Sequence, residues 1–115
     1  MELRKYRWSK TYEAAEVDLG DFLRAKNIEA ERWIGEEDEV YELHMHPKDK
    51  KLWCAEGSIL FTLKGSQKIA LQAGDALDLP AYTPHEAVAG FAGCVCYESP
   101  PINQNEAIEA KEQSS

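Results

Sequence analysis

From residue 28 onward, apolar and polar positions alternate with a period of two in short runs. These are IEAERWI at 28–34, VYELHMH at 40–46, LWCAE at 52–56, ILFTL at 59–63, KIALQ at 68–72, ALDLP at 76–80, HEAVA at 85–89 and CVCYE at 94–98. Such alternation fits a strand with one face toward a core, because successive side chains leave a strand on opposite sides. Turn-forming residues separate nearly all of the runs, as GEEDE, GS, KGSQ, AGD, AYTP and GFAG. Eight short strands at near-regular spacing predict an all-β protein, a sandwich or a small antiparallel β-barrel. Ahead of them, EVDLGDFLRAKN at 16–27 allows a turn or two of helix, with Asp18 as N-cap and Asn27 as its stop, weakened by Gly20. The tail PPINQNEAIEAKEQSS opens on two prolines and ends polar, so it is expected to leave the sheet and lie on the surface or fray.

Length and charge narrow this picture. A chain of 115 residues has material for one domain and one core. That core is assigned to about 28–98, with an N-terminal extension at 1–27 and a polar tail at 99–115. The net charge of -8, from 13 Lys and Arg against 21 Asp and Glu, repels phosphate backbones, so no nucleic-acid partner is expected. The basic start MELRKYRWSK reads as a solvated end. The longest apolar stretch, AVAGFAGCVCY at 87–97, is broken by glycines and is shorter than the roughly 20 residues a membrane helix needs, so no membrane partner is expected. No basic start leads into an apolar run and a cleavage site, which points to the cytoplasm. Cys54, Cys94 and Cys96 are an odd set that suits reduced thiols filling a core.

Chemistry concentrates in YELHMHPKDKKLWCAEG at 41–57, which holds two of the three histidines. On one strand Glu42, His44 and His46 share a face. Turned inward, two imidazoles and a carboxylate would converge as metal ligands; turned outward, they would be a solvated strand face. Downstream, GDALDLPAYTPHEAVA delivers His85 by a tight turn to the start of the next strand.

These two segments resemble the motifs of the cupins, small β-barrel proteins of jelly-roll type. The first cupin motif reads roughly G-x5-H-x-H-x3,4-E-x6-G, and HMHPKDKKLWCAEG supplies His44, His46 and Gly57. The second reads roughly G-x5-P-x-G-x2-H-x3-N, and GDALDLPAYTPHEAVA supplies Gly74, Pro80 and His85. The resemblance implies a single cupin domain with a divalent ion, Fe, Zn, Ni or Mn, held by His44, His46 and His85. Three positions depart from the pattern. Tyr82 stands where glycine is usual, Ala89 where asparagine is, and Lys50 where the metal-binding glutamate is. An ammonium about 4 Å from an ion would oppose each unit of its charge by roughly 4 kcal/mol at an effective dielectric near 20. The long lysine stem is expected to swing that charge out to water, and Lys50→Glu to tighten metal binding.

Three arrangements of the site stay open: three neutral histidines, the same three with Glu42 as a carboxylate ligand, or a metal-free cavity whose imidazoles bind a small molecule. The resemblance implies either a metal-dependent oxygenase, isomerase or lyase acting on a small organic molecule, with Tyr82 and Glu42 as catalytic groups, or a non-catalytic binding or sensing cupin. An inward Glu42 favours chemistry, and an apolar cavity with only Lys50 favours binding. A barrel this small also leaves strand edges that a second copy would cover, so a homodimer is expected.

Overall fold

The alternation at 28–98 does produce strands, but fewer and longer ones than the turn residues suggest. In the computed structural model, which describes residues 1–100, the order is β1 (Arg4–Arg7), α1 (Glu16–Ala25), β2 (Glu31–Gly35), β3 (Val40–His44), β4 (Lys50–Leu63), β5 (Lys68–Gln72), β6 (Asp75–Leu79) and β7 (His85–Ser99). All pairings are antiparallel. Apart from Ser99 in β7 and Pro100 just after it, the tail expected to leave the sheet falls outside the described residues.

β4 and β7 each join two of the strands read from the sequence. The glycine segments GS and GFAG that separate the runs are bends inside continuous strands rather than turns. β4 and β7 pair from Lys51 opposite Ser99 to Leu63 opposite His85, with register shifts between Cys54 and Glu56 and between Gly57 and Ile59. Gly57 and Gly93 take φ of 70° and 74°, the left-handed backbone with which a bulge bends a strand without ending its ladder. The bends let both strands serve two walls of a jelly roll. One wall runs β1-β6-β4-β7-β2; in the other β5 flanks the second half of β4, and β3 flanks the first half of β7.

The basic start is solvent-exposed, as expected, but it is not a free end. β1 pairs with β6, setting Arg4 opposite Asp78 and Arg7 opposite Asp75. Asp75 and Asp78 are buried and draw Arg4 (3.6 Å to Asp78), Lys5 (3.8 Å to Asp75) and Arg7 (3.2 Å to Asp75). A buried carboxylate needs such partners, and these come from some 70 residues away.

The helix forms where its pattern placed it, with a different start. Ala15 is the N-cap, and Asp18 sits inside the first turn, its carboxylate accepting from the Ala15 N–H at 3.3 Å. Asn27 does stop the helix, at φ 55° with Ile28 N–H bonded back to Leu23 O at 2.9 Å. Leu19 and Leu23 on the helix pack with Trp8, Trp53 and Val95 on the outside of the first wall. The core is therefore not confined to 28–98. The interior cluster between the walls includes Leu52, Phe61, Leu71, Leu77 and all three cysteines, which are free and buried. Hydrogen bonds to Cys54 and Cys94, together with burial, push the Cys96 thiol far up, so it stays protonated. Core filling is the role the structure gives these residues. Among the described residues, no helix is long and apolar enough to cross a membrane.

Candidate metal centre and cavity

The three histidines come together where β3 ends and β7 begins. His44 lies directly opposite His85 in the ladder, and His46 follows two residues later. The loop before β7 is tied to the same segment: Tyr82 N–H donates to His46 O at 2.7 Å, and Ala81 N–H to Asp49 Oδ1 at 2.8 Å. One potential ligand atom from each of His44, His46 and His85 lies within 4.8 Å of the others. Their ring centroids are 4.2 Å (44–85), 4.8 Å (44–46) and 5.5 Å (46–85) apart.

Backbone carbonyls set the tautomers of two rings. His44 Nδ1 is 2.7 Å from Glu42 O, and His85 Nδ1 is 2.8 Å from Thr83 O. A carbonyl can only accept, so Nδ1 carries the proton in each ring and Nε2 keeps its lone pair. Metal-binding histidines are oriented by the same kind of contact. Burial, with His44 adding to it, lowers the His85 pKa to about 4, although the Thr83 contact works the other way. His85 is therefore neutral at pH 7 and available as a donor.

That shift has a stability consequence in metal-free protein. Between about pH 6.5 and 4 the unfolded chain protonates this histidine and the folded one does not. Stability is expected to fall by about 3 kcal/mol as pH drops through that window and to lose nothing more from this group below it. Urea unfolding of EDTA-treated protein at pH 7, 5.5 and 4 checks this against His85→Gln, which should lack most of the slope. An equal slope in both proteins would remove His85 as its source.

A cavity of about 480 Å³ opens beside the imidazoles. Its wall is largely apolar, from Leu52, Ile59, Phe61, Leu79 and Ala87, with Trp33 and Tyr41 packed edge to face at 5.5 Å. Two residues expected at this site are elsewhere. Glu42 is exposed and does not line the cavity; Tyr41 takes the inward place. The cause is a bulge, because three steps from Tyr41 to His44 match only two from Ala87 to His85, so the alternation slips by one residue. Glu42 contributes its carbonyl, not its carboxylate. Tyr82 is 60% exposed and does not line the cavity; its φ of 57° lies in the backbone region that suits the glycine usual there in the cupin motif.

Lys50 is not in water. It is 1% exposed, lines the cavity, and sits 3.5 Å from Glu98 Oε2 while donating to Pro100 O at 3.1 Å. Burial raises the Glu98 pKa, the Lys50 charge opposes that rise, and Glu31 adds to it. The lysine charge is thus balanced inside the wall rather than aimed at the histidines. Lys51, the next residue, belongs to the other face along with Trp53. Tyr41 and Glu98 are cavity residues that the sequence reading did not single out. Glu98 was readable from alternation, since it follows Cys94 and Cys96 on one face of the same run.

No family model and no curated protein matches the sequence. Solved structures do match by shape. The chain is similar to a DUF861 family protein from Thermotoga maritima at a TM-score of 0.59 and 11% identity, over 85% of this chain and 98% of that one. It is similar to a cupin-2 domain containing protein from Shewanella frigidimarina at 0.55 and 17%, over 83% and 76%. It is also similar to a DMSP lyase from Ruegeria pomeroyi at 0.56 and 20%, over 60% of this chain and 35% of that one.

Proposed function

The chain has the cupin fold, and from that premise we propose that it holds a divalent transition-metal ion through His44, His46 and His85 and takes a small, mostly apolar organic molecule into the adjoining cavity. The carrying observation is the set of three imidazoles with ligand atoms within 4.8 Å, two of them held by carbonyls with Nε2 lone pairs left to donate. Such an ion supplies a Lewis acid with coordination positions left for water or ligand. Imidazole donors suit Zn, Cu, Fe and Ni alike.

The chain's own residues would orient and enclose the bound molecule. Leu52, Ile59, Phe61 and Leu79 exclude water, and Glu42 O and Thr83 O hold two rings in place. Recognition without turnover is the form of this reading we favour, because Glu42 and Tyr82 stay out of the cavity and the buried Lys50 and Glu98 that line it are held in an ion pair with each other. The lyase among the structural neighbours is an instance of chemistry carried by the fold, and turnover is the competing form.

Zinc titration by calorimetry tests the metal part. The parent is expected to bind one zinc per chain, and each of His44→Ala, His46→Ala and His85→Ala to weaken it by about a thousandfold or more. That exceeds the roughly tenfold to hundredfold cost of losing only a hydrogen-bond partner of a ligand. Combined substitutions should add little, since one site is being dismantled. Acid should also release the ion, since a protonated imidazole has no lone pair to give. A parent that takes up no zinc, iron or nickel would end the metal reading.

A further inference from the structure

Three cavity residues form a row across three neighbouring strands. Glu98 on β7 lies opposite Glu31 of β2 on one side and Leu52 of β4 on the other. Trp33 and Lys50, each two residues from those positions, are its diagonal neighbours on the inward face. Two buried atoms in this row have no hydrogen-bond partner among the described residues: Trp33 Nε1, a donor, and Glu98 Oε2, an acceptor that reaches Lys50 only at ion-pair distance, 3.5 Å. Glu98 is 6% exposed. Buried polar atoms are ordinarily satisfied, so a donor and an acceptor with hydrogen bonds to spare, on diagonal neighbours of one cavity wall, suit a ligand group that completes them.

The charges narrow the class of that group. Lys50 and Glu98 already neutralise each other, so a carboxylate entering here would meet Glu98 and an ammonium would meet Lys50 without gaining a net partner. We propose that Trp33, Glu98 and Lys50 are a second polar pole of the cavity, which holds an uncharged ligand group that both donates and accepts, a hydroxyl or a primary carboxamide. The group accepts from the Trp33 indole N–H and donates to Glu98 Oε2, while the rest of the ligand lies along the apolar wall toward the histidines. This assignment rests on reading the cavity as a small-molecule site, but not on the metal.

A matched series of six-carbon probes tests it: hexanamide, 1-hexanol, hexanoate and hexylammonium, each titrated into the full chain at pH 7. The readout is the indole N–H resonance of Trp33, assigned by its loss in Trp33→Phe. Hexanamide and 1-hexanol are expected to move that resonance and to bind about tenfold or more tightly than either ion, the usual penalty for burying an unmatched polar group. Glu98→Gln keeps the shape but leaves the Lys50 charge unbalanced, and should turn the preference toward hexanoate. Should that variant not fold, Lys50→Met/Glu98→Leu replaces the pair with apolar side chains and should bind hexanamide about tenfold more weakly than the parent does. Hexanoate binding the parent as well as hexanamide does, a stationary Trp33 signal during hexanamide binding, or no binding by any probe would overturn the assignment. Repeating the titration on EDTA-treated and zinc-loaded protein separates the two readings. A Trp33 response in protein that takes up no zinc removes the metal and keeps the pole; zinc uptake without that response does the reverse.

Discussion

Lys50→Met is expected to lower the unfolding free energy by about 3–5 kcal/mol, the usual cost of leaving a buried charge without its partner. Lys50 is 1% exposed and Glu98 is 6% exposed, so neither end of the pair can fall back on water when the other is removed. Glu98 already feels burial as a push toward its protonated form, opposed mainly by the Lys50 ammonium. Taking the ammonium away would protonate the carboxyl or expose it, and either response weakens the wall where β4, β7 and β2 meet. Lys50→Met/Glu98→Gln should regain most of the loss, because apolar and neutral groups of similar size often replace a buried ion pair at little cost. Urea denaturation measures both through the midpoint at unchanged slope. A single variant within about 1 kcal/mol of the parent would mean that water reaches the pair. The same geometry revises Lys50→Glu. A carboxylate at this place, as in the cupin motif, would be buried against Glu98, so the expected result is a less stable chain rather than a tighter metal site.

The second large effect is expected at Gly57→Ala. A Cβ there would stand 2.0 Å from Gly93 O, a backbone atom with no rotamer to yield, and the residue would be held at φ 70°. Left-handed strain and forced overpacking each cost about 1–3 kcal/mol, so a loss of about 3–5 kcal/mol is expected. Gly65→Ala is the control, since Gly65 has φ 82° but nothing within 4 Å of its added Cβ. It should show the backbone strain alone. Thermal unfolding that gives equal losses at both glycines would take the clash with Gly93 out of the account.

Gly57 also shows how much of the fold could be read from the chain. Period-two alternation placed both halves of β4 and of β7 as strands, because that signal is local and the pleat obeys it. It could not tell a strand end from a bulge, since glycine at positive φ serves both. The bulge between Tyr41 and His44 likewise moved Glu42 out and Tyr41 in, a one-residue slip that no alternation pattern announces. The three histidines were legible because their spacing and order survive such slips. β1 and the burial of Lys50 were not, because each depends on acidic partners distant in sequence, Asp75 and Asp78 for β1 and Glu98 for Lys50. A charged residue reads as solvated until its partner is known.

The placement of β7 bears on how the chain is made. Among the described residues it is the last of seven strands, yet it lies between β4 and β2 in one wall and between β4 and β3 in the other. During synthesis, β2 and β3 have no ladder partner until residues 85–99 leave the ribosome, and β4 has only β5 and β6. At about 5–20 residues per second, those edges wait for seconds with apolar faces uncovered. Nascent chains halted before residue 85 should therefore engage chaperones, and release should come abruptly once β7 has emerged rather than strand by strand.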